Sequence, residues 1–340
     1  MKLLYHGPLW HGSTSLQRAN AFGRLPGVTV VQSDTGDRLT DKPGIIQRVR
    51  WKLGWPADTS DENGRLLALT RESRPGIVFV DNSKFITVAT LHAMRAAGAG
   101  RLVYYTPDNI LASHVITVPI RRSFPEWDTF FTTKTFNVEP LARARVRKPL
   151  LVGKSFDPGL HFPMRREEVG PEFEQFDVVF AGSFESERCA SINALARSGL
   201  SVVVHSGNHD RWRRWPLDAS VVLRGDVYGE EYRRAWHHGK LALGFLRKIS
   251  KDRITQRSME IAAMGRPMLA ERTDEHDSHF RLDEEYIGFT SDDELVEKAR
   301  EWLGRDAARI ALGAAARRRC ETSGYSTLDR AKWMLDQVIG

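Results

Sequence analysis

Short apolar runs alternate along the chain with stretches in which apolar positions recur every three or four residues. KLLYHG (2–7), GVTVVQSD (27–34), GIVFVDNS (76–83), RLVYYTPD (101–108) and DTFFTTK (128–134) are brief, rich in β-branched and aromatic residues, and mostly bounded by Gly, Pro, Asp or Ser, so each predicts a strand. Helical periodicity fills the intervals from about Ser15 to Leu25 and over about 86–97. Strand, helix, strand at this spacing predicts a parallel sheet, because parallel neighbours need a crossover connection. A second series repeats the theme: DVVFAGS (177–183), a helix over 185–198, SVVVHSG (201–207), SVVLRGD (220–226), a helix over 229–238, LALGFLR (241–247), a helix over 255–264 and RPMLAE (266–271). Between the two series, SFDPGLHFPMRREEVGPEFEQF (155–176) loses periodicity and places Pro158, Pro163 and Pro171 among charged residues, as connections between domains do. The expected division is 1–172, 173–325 and a terminal helix over 326–340 that packs back towards the N-terminal domain. Two capping signals mark the helical tail: Ser291 with Glu294, and Ser326 with Asp329.

Composition supports this picture and narrows the setting. A length of 340 residues exceeds the usual single core, and 41% hydrophobic with 27% charged residues is ordinary globular usage. Cys189 and Cys320 lie in no metal-ligand spacing, which predicts a reduced compartment and no structural zinc. The opening MKLLYHGPLW is too short for a signal-peptide core and no run approaches a membrane span, so the expectation is a cytoplasmic protein. Net charge is +7, concentrated at Arg143, Arg145, Arg147 and Lys148 and again at Arg211, Arg213 and Arg214. Such an excess suits phosphorylated ligands, an anionic membrane surface touched peripherally, or nucleic acid. No helix-turn-helix, RNA-recognition or zinc-finger signature accompanies it, so nucleic acid is set aside.

The segment with the most chemistry is GFLRKISKDRITQRSMEIAAMG (244–265), where basic residues lead into a helix that opens between Thr255 and Ser258. A helix N-terminus offers unpaired N–H groups and a positive dipole end, so a diphosphate fits there with Arg247, Lys248 or Arg257 as counter-charges. Glu260, one turn in, suits a ribose, since a carboxylate accepts from two hydroxyls. An acid near a helix start is also often a plain dipole partner. Position adds weight, because nucleotide sites in open α/β sheets lie beyond the carboxyl ends of strands, and this segment follows LALGFLR.

RSMEIAAMGRPMLAERTDEH (257–276) followed by EEYIGFTSDDELVEKAREWL (284–303) resembles the donor domain of bacterial group-1-like glycosyltransferases, in particular their spore-maturation (CgeB-like) branch. The resemblance is good over about 177–325 and looser over 1–140. It implies a GT-B fold, two Rossmann-like domains facing a cleft with C-terminal helices, and a nucleoside-diphosphate sugar as donor, of UDP or GDP type. It further implies a metal-independent site with no required cofactor. Related retaining enzymes carry a Glu-x7-Glu motif, whose second Glu, the ribose ligand, matches Glu260. Asp252 takes the first position, a departure that leaves its contact with the transferred sugar open. Other donor contacts carry over to Gly182, Ser183, Arg188, Arg257 and Ser258. HGPLWHGSTSLQR (6–18), with Gly12 and Ser13 before a helix, resembles the family's first loop, where backbone approaches the donor phosphates or the acceptor.

His11 has the pKa range of a general base if configuration is inverted, and Asp108 stands where it either serves the acceptor or caps a helix containing Ile110 and Leu111. His114 is a further candidate for reaching the sugar. His237 and His238 mark a helix end, where protonated imidazole complements the dipole. Asp274, Glu275, His276 and Asp277 are adjacent and cannot converge on a metal from one helix face. The expected reaction is sugar transfer to a glycan, lipid-linked or small hydroxyl acceptor in bacterial surface-glycan or glycoconjugate synthesis. A sugar-nucleotide epimerase or a non-catalytic nucleotide- or glycan-binding protein are the alternatives.

Overall fold

The computed structural model describes residues 1–36, 44–113, 115–207 and 209–340, and it divides into two compact units: Met1–Gly153 with Thr327–Gly340, and Lys154–Ser326. Residues 154–172, assigned on composition to the N-terminal half, cluster with the second unit: they break periodicity but still donate side chains such as Phe156, Met164 and Val169 to buried positions.

The first unit runs β1 (Lys2–Gly7), α1 (Thr14–Gly23), β2 (Thr29–Asp34), α2 (Ile45–Lys52), α3 (Glu62–Ser73), β3 (Ile77–Asp81), α4 (Val88–Ala96), β4 (Arg101–Thr106), α5 (Val118–Ser123), β5 (Thr129–Thr132), α6 (Val138–Arg143) and β6 (Pro149–Leu151). Its strands are all parallel in the order β2-β1-β3-β4-β5-β6. Side chains two apart share a face, so Leu3, Tyr5, Ile77, Phe79, Val103, Tyr105 and Phe131 build one core layer. Leu4, Val78, Val80, Leu102, Tyr104 and Phe130 build the opposite one. Helix α1 covers the first layer with Ala19 and Phe22, and α3 and α4 cover the second with Leu66, Leu91 and Met94.

The second unit runs α7 (Arg166–Val169), β7 (Phe176–Ala181), α8 (Ser186–Arg197), β8 (Val202–His205), α9 (His209–Arg214), β9 (Val222–Arg224), α10 (Gly229–Trp236), β10 (Gly239–Gly244), α11 (Gln256–Ala263), β11 (Met268–Glu271), α12 (Asp274–His279), β12 (Ile287–Phe289), α13 (Asp292–Leu303) and α14 (Asp306–Thr322). Its parallel sheet has the order β12-β11-β10-β7-β8-β9. Helices α8 and α13 press Ile192, Leu195, Leu295 and Trp302 onto one face. The other face receives Trp236, Met259, Ala263 and Cys320 from α10, α11 and α14. The turn that ends α11 lies against α14 so closely that a Cβ on Gly313 would stand 2.4 Å from the Gly265 carbonyl oxygen, which requires glycine there.

The last helix, α15 (Thr327–Ile339), belongs to the first unit, where Ala331, Met334 and Val338 complete the layer under α1. Among the described residues no helix is long and apolar enough to cross a membrane. Two local expectations are corrected. Residues 110–113 form turns and a bend rather than the expected helix, and the Asp108 N–H donates to Thr106 Oγ1 at 3.2 Å. His237 does stand at the end of α10, but burial pushes its imidazole down to about 3 and also lowers His238, so both are neutral and offer the dipole no charge.

Candidate active site

In a doubly wound sheet a crevice opens where successive connections leave to opposite sides, beyond the strand carboxyl ends. In the second unit that point lies between β7, whose chain continues to β8, and its neighbour β10, whose chain continues to β11. The loops that follow these two strands, 182–185 and 245–255, together with the helices they lead into, α8 and α11, hold eight of the ten expected donor residues. Gly182 stands at the end of β7, where a Cβ would lie 3.0 Å from an Arg257 guanidinium nitrogen. Arg188 is buried and donates to the carbonyls of Ser183 at 2.9 Å and Leu246 at 3.3 Å, so it ties the two loops together. Burial and then the neighbouring Arg257 charge bring the Arg188 guanidinium down to about 10. Glu185 lies 3.4 Å from both Arg188 and Arg247 and compensates part of this charge.

The Arg257 guanidinium makes no hydrogen bond or ion pair among the described residues, nor does the exposed ammonium of Lys248. Helix α11 starts beside them, capped by Thr255, with no acidic residue in its first turn. The result is a cluster of cations and a positive helix end that the protein itself leaves under-compensated, which is the electrostatic form of an anion site. Glu271, at the end of β11, faces the cluster and accepts from Leu246 N–H at 2.5 Å; burial nevertheless raises its carboxyl.

Glu260 lies one turn into α11 and is buried. Tyr232 donates its hydroxyl to Oε2 at 2.5 Å, and His161 Nε2 stands 3.9 Å from Oε1. His161 Nδ1 accepts from the Asp157 backbone N–H at 3.0 Å, so the ring proton sits on Nε2, facing the carboxylate. One carboxylate oxygen is thereby fixed by Tyr232 while the other keeps capacity for further donors. The Ser258 hydroxyl completes the α11 capping box and lies 2.8 Å from His276 Nε2 in a buried position. Asp252 donates its backbone N–H to Arg247 O at 3.1 Å, which shapes the loop before α11.

Buried histidines of this unit make its stability pH-dependent. His205, His237 and His276 are brought down to about 4, about 3 and about 4, with burial the largest cause in each. An unfolded chain titrates them near the ordinary value of about 6.5 and therefore holds more protons than the folded one below it. Stability that is complete above that value should fall as pH drops through the window towards 4. Urea midpoints measured from pH 7.5 to 4.5 should decline (range on the order of the histidine window), and His276→Gln should flatten the slope; a flat wild-type profile would contradict the assignment.

In the first unit the corresponding switch point lies between β1 and β3. His11 is exposed in the loop after β1, and Gly12 turns that loop with φ 93°. Ser13 caps α1: its Oγ accepts from Leu16 N–H at 3.0 Å and donates to Pro8 O at 2.7 Å. Asp108, after β4, accepts from Asn82 at 2.9 Å and lies 3.3 Å from Lys84 Nζ, whose ammonium is lowered by burial against the pull of Asp108. His114 lies outside the described residues. Tyr232, His161, Glu185 and Lys84 were not anticipated: Tyr232 has no motif around it, and His161 sits in the aperiodic segment. Glu271 was readable as the last residue of a strand adjacent to β10.

Residues 188–336 match the family described as glycosyl transferase-like. Across its whole length the chain is similar to the Anabaena protein HepE solved with UDP-glucose, at 11% identity over 100% of this chain and 99% of that one, with a TM-score of 0.68. It is similar to the sucrose-phosphate synthase of Thermosynechococcus elongatus at 11% identity over 99% and 98%, with a TM-score of 0.69. A Listeria monocytogenes protein described as a UDP-N-acetylglucosamine 2-epimerase follows at 12% identity over 98% and 94%, with a TM-score of 0.54. At such identities the likeness establishes the fold, and that fold, two Rossmann-like units with C-terminal helices, is GT-B. No curated protein matches the chain in sequence.

Proposed function

We infer from the glycosyl transferase-like match and the GT-B architecture that the chain is a glycosyltransferase, moving a sugar from a nucleoside-diphosphate sugar to a hydroxyl acceptor. The observation that carries the donor assignment is Arg257: a guanidinium left without an ion partner at the start of α11, against Gly182, at the β7/β10 switch point. In this reading Arg257, Lys248 and the α11 N–H groups hold the diphosphate and stabilise charge that develops on it as the sugar departs, as a metal does elsewhere. Arg188, Arg247 and Ser183 set the loops, and Glu260 takes the ribose through Oε1. Complexes of HepE with UDP and UDP-glucose favour a uridine donor. The Arg257–Gly265 motif favours the spore-maturation-like branch. Asp108, 3.3 Å from Lys84 Nζ, is the candidate for receiving the acceptor hydroxyl, with His11 and Asp252 as further candidates; a glycan or lipid-linked acceptor fits the basic surface.

The test is nucleotide binding. Glu260→Gln should weaken UDP by about 10–100-fold, the loss of charge-assisted hydrogen bonds of about 1.5–3 kcal/mol. Calorimetric titration that gives an unchanged affinity in a folded variant would remove Glu260 from the site. A thermal-shift series with UDP, GDP, CMP and dTDP sugars identifies the base, since a ligand selective for the native state raises its apparent stability. The likeness to a 2-epimerase supports a second reading, conversion of the donor without an acceptor. NMR of products formed from the sugar nucleotide alone separates the two.

A further inference from the structure

Among the described residues, helix α2 stands apart from every other helix of eight residues or more, because none of its residues is buried. Its sequence, IIQRVRWK followed by Leu53, is nevertheless half apolar. Ile45 and Ile46 are each 78% exposed, Leu53 69% and Val49 50%. At 3.6 residues per turn these four positions fall within an arc of about 100°. Lys52 borders that arc on one side and Arg50 on the other, both exposed, and residues 44–55 contain no acid.

The opposite side of the helix is what holds it to the unit. Gln47 donates its side-chain amide to Ala57 O at 2.9 Å and accepts from Ala57 N–H at 3.1 Å. Trp51 meets Phe85 edge-on at 6.0 Å between ring centroids. Just beyond the helix, Arg122 lies over the Trp55 ring at 5.0 Å, which adds an aromatic and a further cation to the same end of the helix. The apolar arc is thus presented outward by a helix anchored along its other face. It is a built orientation.

We propose that α2 is a membrane-docking element that lays Ile45, Ile46, Val49 and Leu53 into the headgroup region of an anionic lipid surface. An apolar stripe bordered on both sides by Lys and Arg matches the bilayer interface, where chains accept the aliphatic groups and anionic headgroups the cations. A second copy of this chain is the poorer occupant, because it would bring the same cations and a net charge of +7 to the contact. The inference does not depend on the sugar-transfer reading.

Flotation of the full chain with vesicles decides it. Phosphatidylcholine vesicles containing about 30% phosphatidylglycerol should retain the protein at least about tenfold better than phosphatidylcholine alone, and rising salt should release it. Ile46→Glu with Leu53→Glu should abolish retention, and Arg50→Ser with Lys52→Ser should weaken it and flatten the salt dependence. All four side chains are exposed, so thermal melts of the variants should match wild type. Absence of retention, equal retention on neutral vesicles, or retention unaffected by the paired glutamates would each overturn the proposal. So would sedimentation showing a lipid-independent dimer that the glutamates dissociate, which would assign the face to a second copy.

Discussion

Replacing Arg257 with alanine should lower kcat/KM for sugar transfer by about 10²–10³-fold, about 2.7–4 kcal/mol of transition-state stabilisation, without destabilising the fold. Both halves of that expectation come from the same geometry. The Arg257 side chain holds no other residue in place, since its guanidinium has no hydrogen bond or ion pair among the described residues. Its charge opposes that of buried Arg188, so in the absence of an anion its removal relieves repulsion. A residue present for stability would show the reverse: an unfolding midpoint that falls and an activity that follows it. Arg257→Lys should recover only part of the loss, because an ammonium delivers a point charge where the guanidinium offers a planar fork of donors. Steady-state kinetics with the donor identified by thermal shift, beside urea unfolding of the same preparations, measures both. A folded alanine variant retaining more than about a third of wild-type kcat/KM would place the leaving-group contact elsewhere.

The second large effect concerns stability alone. Asp81, buried at the end of β3, accepts from Arg18 Nη2 at 2.8 Å, from Arg18 Nε at 3.2 Å and from the Tyr5 hydroxyl at 2.6 Å. Arg18 also lies over Tyr105, its guanidinium carbon 3.8 Å from the ring centre, and is itself buried. Asp81→Ala leaves that cation buried without its counter-charge and should cost about 3–5 kcal/mol. The Arg18→Met, Asp81→Leu double variant should cost less than the single one, because a buried pair replaced by apolar groups needs no desolvation. Denaturant titration of the three proteins settles the ordering. A single variant as stable as the double would show that the pair is not electrostatically isolated.

Much of this molecule was legible because its central strands are buried on both faces and read as short apolar runs: each of the ten strand segments expected over 2–271, the more exposed edge strands β2 and β9 included, contains or overlaps a strand of the structure. The donor loop was legible for a different reason. Thr255 and Ser258 form a capping box, and a helix start following a strand is a local signal that tertiary contacts do not alter. What the chain concealed is nonlocal. Tyr232 is bound to Glu260 across 28 positions, and His161 reaches the same carboxylate from a segment whose prolines suggested a linker. The partner of the Ser258 hydroxyl, His276, lies 18 positions on, beyond the reach of any local pattern. Helix α2 escaped notice because its apolar arc faces outward, and periodicity alone does not say which side of a helix the core lies on.

The place of α15 in the first unit has a bearing on biosynthesis. Ala331, Met334 and Val338 close a layer whose other members, from Leu3 to Val152, precede the entire second unit in the chain. During translation that apolar surface therefore waits uncovered while residues 154–326 are made and can fold, and the half that emerges first is the half that finishes last. Expressed alone, residues 1–153 would carry the same open surface permanently, which makes the unit a poor candidate for separation from its C-terminal helix and a natural client for chaperones until that helix arrives.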